Sequence, residues 1–221
     1  MKIKIKMINK ELRKTGVIMK LVPFFFNKFG IGLISRLSKI WYPEYKNNIN
    51  IVKDFTITRK DSKKLRIVTV YPNKKLVNVP CVLWMHGGGY AIGYPEQSMK
   101  MINKLIETKE CVIVSPDYRL SVDFPYPAAL EDCYDALLWI KNNSVELGIN
   151  VNQIMVGGES AGGGLAAALS FYARDKGEVS IAFQMPLYPM LDDKVVTPSS
   201  KFVNTPVWNY KSNLFCWKLY L

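Results

Sequence analysis

Short apolar runs alternate with longer amphipathic stretches over most of the 221-residue chain. Four of the runs are almost wholly apolar, which is typical of parallel strands covered on both faces; they are residues 79–85, 111–114, 153–156 and 181–185. Two earlier runs, residues 51–58 and 65–71, contain polar interruptions and predict strands of an antiparallel edge.

An amphipathic helix is predicted before the first strand. Its apolar face consists of Leu33, Ile34, Leu37, Ile40 and Trp41, Pro43 ends the pattern, and an apolar cluster of Phe24, Phe25, Phe26 and Phe29 precedes it. Such a helix packs on the body of the protein, covers a substrate pocket as a flap, or rests on an anionic membrane surface. The pattern favours the first interpretation.

A second helix is predicted from Pro127, which stands at a first helical position, to a stop at Gly148. Its apolar residues share one face: Leu130, Cys133, Tyr134, Leu137 and Leu138. Strands that alternate with helices at this spacing predict a mostly parallel sheet with helices on both faces, which is an α/β fold.

The net charge of +12 is not evenly spread. Residues 1–66 hold seventeen Lys or Arg against four acids, whereas residues 67–221 hold thirteen against fourteen. A nucleic-acid-binding protein would combine such charge with a reading motif, and none is present, so we expect no nucleic-acid partner. A peripheral contact of residues 1–47 with an anionic membrane stays open.

The composition excludes several further classes. With 49% hydrophobic and 22% charged residues, the chain is a globular protein and not a disordered one. The uncharged run from Leu76 to Pro95 contains two prolines and four glycines, and therefore predicts a strand and a loop instead of a membrane span. The four cysteines lack metal-ligand spacing, so we expect reduced thiols in a cytoplasmic protein with neither metal nor cofactor, although an even count leaves disulfides open.

A strand-to-helix turn carries the first chemical motif. Gly158-Glu159-Ser160-Ala161-Gly162 follows an apolar strand and precedes a small-residue helix, which fits the G-x-S-x-G nucleophile elbow. Glycines flank the serine because a side chain would collide with neighbouring backbone there, and the helix N-terminus directs free amides at a developing oxyanion. Alone, this pattern is also compatible with an ordinary glycine-rich turn.

A second motif strengthens the first. His86-Gly87-Gly88-Gly89-Tyr90 directly follows the predicted strand 79–85, where an oxyanion-hole loop of the HGGG type belongs. Two motifs, each after its own strand and in the expected order, indicate a serine hydrolase.

Together with three further segments, these motifs resemble the hormone-sensitive-lipase-like family of α/β-hydrolases. The further segments are Asp117-Tyr118-Arg119-Leu120, Pro127-Ala128-Ala129-Leu130-Glu131-Asp132 and Leu187-Tyr188-Pro189-Met190-Leu191-Asp192. The resemblance runs from about residue 50 to the last residue. It implies an α/β-hydrolase fold with an eight-stranded sheet and a helical cap, and hydrolysis of small carboxylic esters with short to medium acyl chains.

The resemblance also implies residue roles. Ser160 would be the nucleophile, and Gly88 and Gly89 with the amide of Ala161 would form the oxyanion hole. His86, Gly87, Gly158, Glu159 and Gly162 would support them. Glu159 replaces the aspartate usual in this motif, and Ser121-Val122-Asp123-Phe124 departs from the family's Ala-Pro-Glu-His.

The triad departs furthest from the family pattern. α/β-hydrolases order their triad as Ser, Asp or Glu, and then His, but the only histidine of this chain, His86, precedes Ser160. A structural role in the oxyanion loop is favoured for His86, and solvated or capping roles for Asp175, Asp192 and Asp193. We therefore expect a C-terminally truncated hydrolase without the acid, the base and the last two strands, inactive or very weak as this chain.

Three segments are expected: a helical cap at residues 1–47, an incomplete hydrolase core at 48–190, and the start of a second cap segment at 191–221. The strand near residues 181–185 would expose an unpaired edge. Two alternatives stay open: a split esterase completed by a second chain, and a non-catalytic protein that binds a small ligand.

Overall fold

A computed structural model describes residues 4–19, 27–40, 50–202 and 205–221. Six strands form one sheet in the order β1-β2-β4-β3-β5-β6. The strands are β1 (Asn50–Thr58), β2 (Lys64–Pro72), β3 (Val79–Met85), β4 (Val112–Pro116), β5 (Ile149–Glu159) and β6 (Phe183–Leu187). β1, β2 and β4 pair antiparallel, and β4, β3, β5 and β6 pair parallel.

Seven α-helices connect and cover the strands within the described residues. They are α1 (Arg13–Met19), α2 (Lys28–Ile40), α3 (Met99–Thr108), α4 (Ala128–Asn142), α5 (Ala161–Lys176), α6 (Pro198–Phe202) and α7 (Tyr210–Tyr220). One apolar cluster lies between the sheet and α4 and α5, and a second lies between the sheet and α3. The α/β fold and the antiparallel edge were both predicted correctly. The central strands were predictable because strands buried on both faces need continuous apolar sequence.

Several predicted boundaries were wrong. β5 extends beyond residues 153–156 in both directions, because exposed residues lie at its start and the glycines Gly157 and Gly158 at its end. β6 and β4 begin one or two residues later than predicted. α4 ends at Asn142 instead of Gly148. At this end the Asn143 side chain donates to the Trp139 carbonyl, and a turn follows.

α2 packs on the body of the protein through a residue outside the predicted apolar face. Ile31 is buried in the core, whereas Leu33 and Leu37 are each 46% exposed. The predicted apolar face is therefore half-exposed at Leu33 and Leu37, because periodicity shows that a helix has an apolar side but not what covers it. Phe24, Phe25, Phe26, Trp41 and Pro43 lie outside the described residues.

The described parts of the chain contain no helix that is long and apolar enough to cross a membrane. Residues 76–95 form β3 and the loop after it, as predicted. All four cysteines are free and buried. β6 ends the sheet order, and Phe183 on it is 60% exposed. The three predicted segment boundaries stay predictions.

Candidate active site

Ser160 lies at the sharp junction between β5 and α5. Its backbone has φ 54° and ψ −114°, a left-handed conformation that side chains rarely adopt. Such strain persists only when the surroundings hold it in place. Sequence reasoning predicted this turn, and its geometry is that of a strained serine at the end of a central strand.

The backbone of Ser160 is held by the end of β6 and by the loop after it. Its amide donates to the Leu187 carbonyl at 2.9 Å, and its carbonyl accepts from the Met190 amide at 3.0 Å. The Gly164 amide donates to the same carbonyl at 3.0 Å as α5 begins. These bonds fix the serine from two separate chain segments, which explains how a strained conformation is maintained.

The glycine after Ser160 and Ala161 allows the close contact of α5 with β3. A Cβ added at Gly162 would overlap the carbonyl oxygen of Met85, the last residue of β3. Only glycine therefore lets the helix N-terminus approach this strand. The first amides of a helix have no carbonyl partner within it. In α5 these include the amide of Ala161, the residue directly after Ser160.

The His86–Tyr90 loop passes directly beside Ser160. A Cβ added at Gly87 would lie 3.6 Å from the Cβ of Ser160. Gly88 has φ 127°, a conformation that favours glycine. Its carbonyl accepts from the amides of Ala91 and Ile92 at 3.1 Å each. The two motifs, about seventy residues apart in sequence, therefore meet at the carboxyl ends of β3 and β5.

His86 is fixed within this loop. The ring is fully buried, stacks on Tyr118 at a centroid distance of 4.1 Å, and its Nδ1 donates to the Gly87 carbonyl at 2.8 Å. Tyr118 donates from its hydroxyl to the His86 carbonyl at 2.8 Å. These contacts are those of a side chain that shapes the loop.

Glu159 connects the turn to its surroundings. Its two carboxylate oxygens accept from the hydroxyl of Tyr188 at 2.7 Å and from that of Ser98 at 3.1 Å. The bond to Glu159 raises the pKa of Tyr188 to about 12, because it stabilises the protonated hydroxyl. Sequence reasoning missed this contact, although Tyr188 belongs to a segment that carried the family resemblance.

Aromatic side chains of α7 pack against the His86–Tyr90 loop. Tyr90 is 2% exposed, stacks on Tyr220 at 4.0 Å and donates to the Met190 carbonyl at 2.9 Å. A Cβ added at Gly89 would lie 2.8 Å from both Trp208 and the Cys216 sulfur. The segment that carries α7 therefore forms a wall beside the His86–Tyr90 loop.

The three aspartates that follow Ser160 lie in exposed positions. Asp175 pairs with Arg174 at 2.7 Å near the end of α5, and Asp192 accepts from the Lys194 amide at 3.0 Å in a turn. Asp193 is exposed in the same turn. These positions agree with the capping and solvated roles that the sequence predicted. Within the described ranges, no group of three or more His, Cys, Asp or Glu side chains could hold a metal ion.

Comparison with known proteins identifies relatives of this arrangement. The family model for the alpha/beta hydrolase fold matches residues 82–221. A Schizosaccharomyces pombe protein named AB hydrolase superfamily protein C1039.03 is 32% identical in an alignment 207 residues long, which covers 82% of this chain and 61% of the relative. Carboxylesterase NlhH of Mycobacterium tuberculosis is 36% identical over 122 residues, which are 55% of this chain and 38% of the relative.

Solved structures agree with these relatives. A structure titled Bacterial Heroin Esterase superposes with a TM-score of 0.83 at 32% identity, covering 98% of this chain and 69% of that one. The chain spans about three fifths or less of the length of these two curated relatives.

Proposed function

Since the chain belongs to the hormone-sensitive-lipase-like family of α/β-hydrolases, we propose that it carries out serine-dependent hydrolysis of small carboxylic esters. The observation that supports this most directly is Ser160 with φ 54° at the junction of β5 and α5, beside the His86–Tyr90 loop. Relatives named as a carboxylesterase, an arylesterase and a heroin esterase act on ester bonds by their names, which supports the same reaction class.

The proposed reaction begins with attack of the Ser160 hydroxyl oxygen on the ester carbonyl carbon. The hydroxyl proton leaves to a general base, and the carbonyl oxygen becomes an oxyanion that accepts from the amides of Gly88, Gly89 and Ala161. The tetrahedral intermediate collapses, the alcohol departs with a proton, and an acyl group remains on Ser160. Water then attacks the acyl-enzyme and releases the carboxylic acid.

We also propose that residues 1–221 alone catalyse this reaction only weakly. His86 is fully buried, with its ring stacked on Tyr118 and its Nδ1–H bonded to the Gly87 carbonyl, so we assign it to shaping the loop and not to the role of the base. A serine without an adjacent imidazole remains a poor nucleophile. Removing a triad member leaves a rate enhancement of about 10³–10⁴-fold, which comes from the oxyanion hole and from binding. In this proposal, polypeptide outside these residues supplies the base.

The aromatic wall beside the oxyanion loop bears on the substrate. Trp208 and Cys216 border Gly89, so an ester bound with its carbonyl in the loop would contact apolar surface. Such surface binds acyl chains and aromatic rings better than charged groups. Small uncharged esters with short to medium acyl chains fit this environment.

Hydrolysis of p-nitrophenyl butyrate by the chain and by Ser160→Ala tests the proposed nucleophile and the missing base together. Free imidazole is then added to both proteins as an external base. We expect weak turnover without imidazole, and with imidazole a rise that exceeds the rise seen for Ser160→Ala. Ser170→Ala, a serine substitution within α5, is the matched control and should respond like the unmodified chain.

Two results would overturn parts of the proposal separately. Turnover that Ser160→Ala leaves unchanged would remove Ser160 as the nucleophile. Rapid Ser160-dependent turnover without imidazole would keep the nucleophile and overturn the proposed lack of a base.

A further inference from the structure

We propose that the leader, defined as residues 4–19 and 27–40, docks the protein on an anionic lipid bilayer. This inference is independent of the reaction at Ser160. It comes from two properties that the same segment combines, which are outward-facing apolar side chains and a concentrated positive charge.

An apolar stripe of α2 faces solvent. Phe29, Leu33 and Leu37 recur every four residues, so they lie along one side of the helix. They are 82%, 46% and 46% exposed, whereas Ile31 is 1% exposed in the core. Ile31 thus fixes the helix on the body of the protein and leaves the stripe available. An amphipathic helix attached in this way is suited to lie in a membrane interface.

The preceding residues add a second apolar surface. The two short 3₁₀ helices at Ile5–Met7 and Lys10–Leu12 lead directly into α1, and these three elements contain no buried residue. Their exposed large apolar side chains are Ile5, Met7, Leu12, Val17 and Ile18.

Arg13 folds these short helices into one unit. Its guanidinium donates to the carbonyls of Ile8 at 3.0 Å and Lys6 at 3.1 Å. The apolar side chains of residues 4–19 are therefore displayed by a folded segment.

The charge of the leader selects the partner. These residues contain eight Lys or Arg and one acid, Glu11. The side chains of Lys4, Lys6, Lys10 and Lys14 are exposed. Residues 67–221, in contrast, are almost neutral, with thirteen basic and fourteen acidic residues. Stable attachment to a membrane takes two signals, and a basic patch beside inserted apolar groups supplies both.

Other occupants fit less well. A second copy would place two strongly positive leaders against each other, and like charges in contact oppose association. A nucleic acid would satisfy the lysines but would leave the exposed phenylalanine and leucine side chains in water. An anionic bilayer meets both properties at once.

Vesicle flotation with the full chain tests this proposal. Bound protein floats with the vesicles while aggregated protein sinks, so the two are not confused. We expect flotation with vesicles of phosphatidylcholine and about 30% phosphatidylserine. We expect little flotation with phosphatidylcholine alone, or in about 1 M NaCl, where the Debye length is about 3 Å.

Two triple variants separate the signals. Lys4→Glu/Lys10→Glu/Lys14→Glu and Phe29→Ser/Leu33→Ser/Leu37→Ser should each lower the partition coefficient about tenfold or more. The matched controls change exposed residues of the same character elsewhere. They are Lys100→Glu/Lys104→Glu/Lys109→Glu and Val77→Ser/Val145→Ser/Phe171→Ser, and should float like the unmodified chain. Circular dichroism checks that every variant is folded.

Several results would overturn the proposal. These are no flotation with folded protein, flotation that salt and phosphatidylserine do not affect, or equal losses in the controls. A dimer that only the apolar leader variant abolishes, without flotation, would assign the stripe to a second copy. A salt-sensitive gel shift with RNA, again without flotation, would assign the charge to nucleic acid.

Discussion

The hydroxyl of Tyr188 donates a 2.7 Å hydrogen bond to Oε1 of Glu159. The second oxygen of Glu159 accepts from Ser98, the residue just before α3. The carboxylate of Glu159, the residue before Ser160, thereby joins the loop after β6 to the start of α3. The family resemblance places an aspartate at this position, and the glutamate found here accepts from both hydroxyls.

Tyr188→Phe should lower the free energy of unfolding by about 1 kcal/mol. The loss is small because the ring is 69% exposed and water screens the bond. Urea denaturation measures it, with Tyr126→Phe as a half-exposed control. Since the folded pKa of Tyr188 is raised to about 12 from an ordinary value near 10, this stability is present below about pH 10 and lost as the pH rises towards 12. A difference between Tyr188→Phe and the unmodified chain that persists above pH 12 would contradict the bond.

Ser160→Gly should raise the free energy of unfolding by about 1–2 kcal/mol, because glycine adopts φ 54° without the strain that serine carries. Ser170→Gly, in the middle of α5, should do the opposite and lower the free energy of unfolding by about 0.5 kcal/mol through lost helix propensity. Thermal or urea unfolding of the two variants checks the difference in sign. Destabilisation by Ser160→Gly would mean that the side chain contributes more than the strain costs.

Asp132→Asn should lower the free energy of unfolding by about 3 kcal/mol. Asp132 is fully buried and accepts from the Arg119 amide at 2.8 Å and from Arg59 at 3.2 Å. Neutralising it leaves two guanidinium groups without their buried counter-charge. Asp175→Asn, which alters an exposed pair with Arg174, should leave the free energy of unfolding unchanged. Equal effects of the two substitutions would rule out a special role for the buried carboxylate.

The four thiols should react with a disulfide reagent at pH 8 only after unfolding. All four cysteines are free and buried, and burial raises the pKa of Cys111 to about 11 and that of Cys216 to about 12. Because the thiolate is the reactive form, both access and ionisation protect these side chains. Counting released chromophore before and after adding denaturant checks this. One rapid equivalent in native protein would show that a cysteine such as Cys216 is accessible.

The sequence predicted the central strands well because their apolar runs are also their buried positions. β3 was predicted with its observed bounds, since Val79 to Met85 is continuous and flanked by polar residues and glycine. β5 was predicted too short because Val151 and Asn152 near its start are exposed, and because the strand continues at its end through Gly157 and Gly158, where the apolar run stops. A pattern of burial cannot detect strand residues that are exposed.

The candidate site was predictable to the extent that its parts are local motifs. The turn at Ser160 and the loop at Gly87–Gly89 each carry their own glycines, and their meeting follows from adjacent parallel strands. The bonds from Tyr188 to Glu159 and from Arg59 to Asp132 join residues 29 and 73 positions apart. Without a repeating pattern, such pairs could not be predicted from one sequence.

The hydrogen bonds that join Ser160 to the end of β6 and to the loop after it also determine how this part of the molecule opens. The amides of Ser160 and Met190 can exchange with deuterium only when this end of β6 and the loop after it separate from β5, so both should exchange in the same opening event. That loop directly follows the edge strand of the sheet. Any partner that orders or displaces the edge would therefore change the backbone order of Ser160 from a distance, without contacting it.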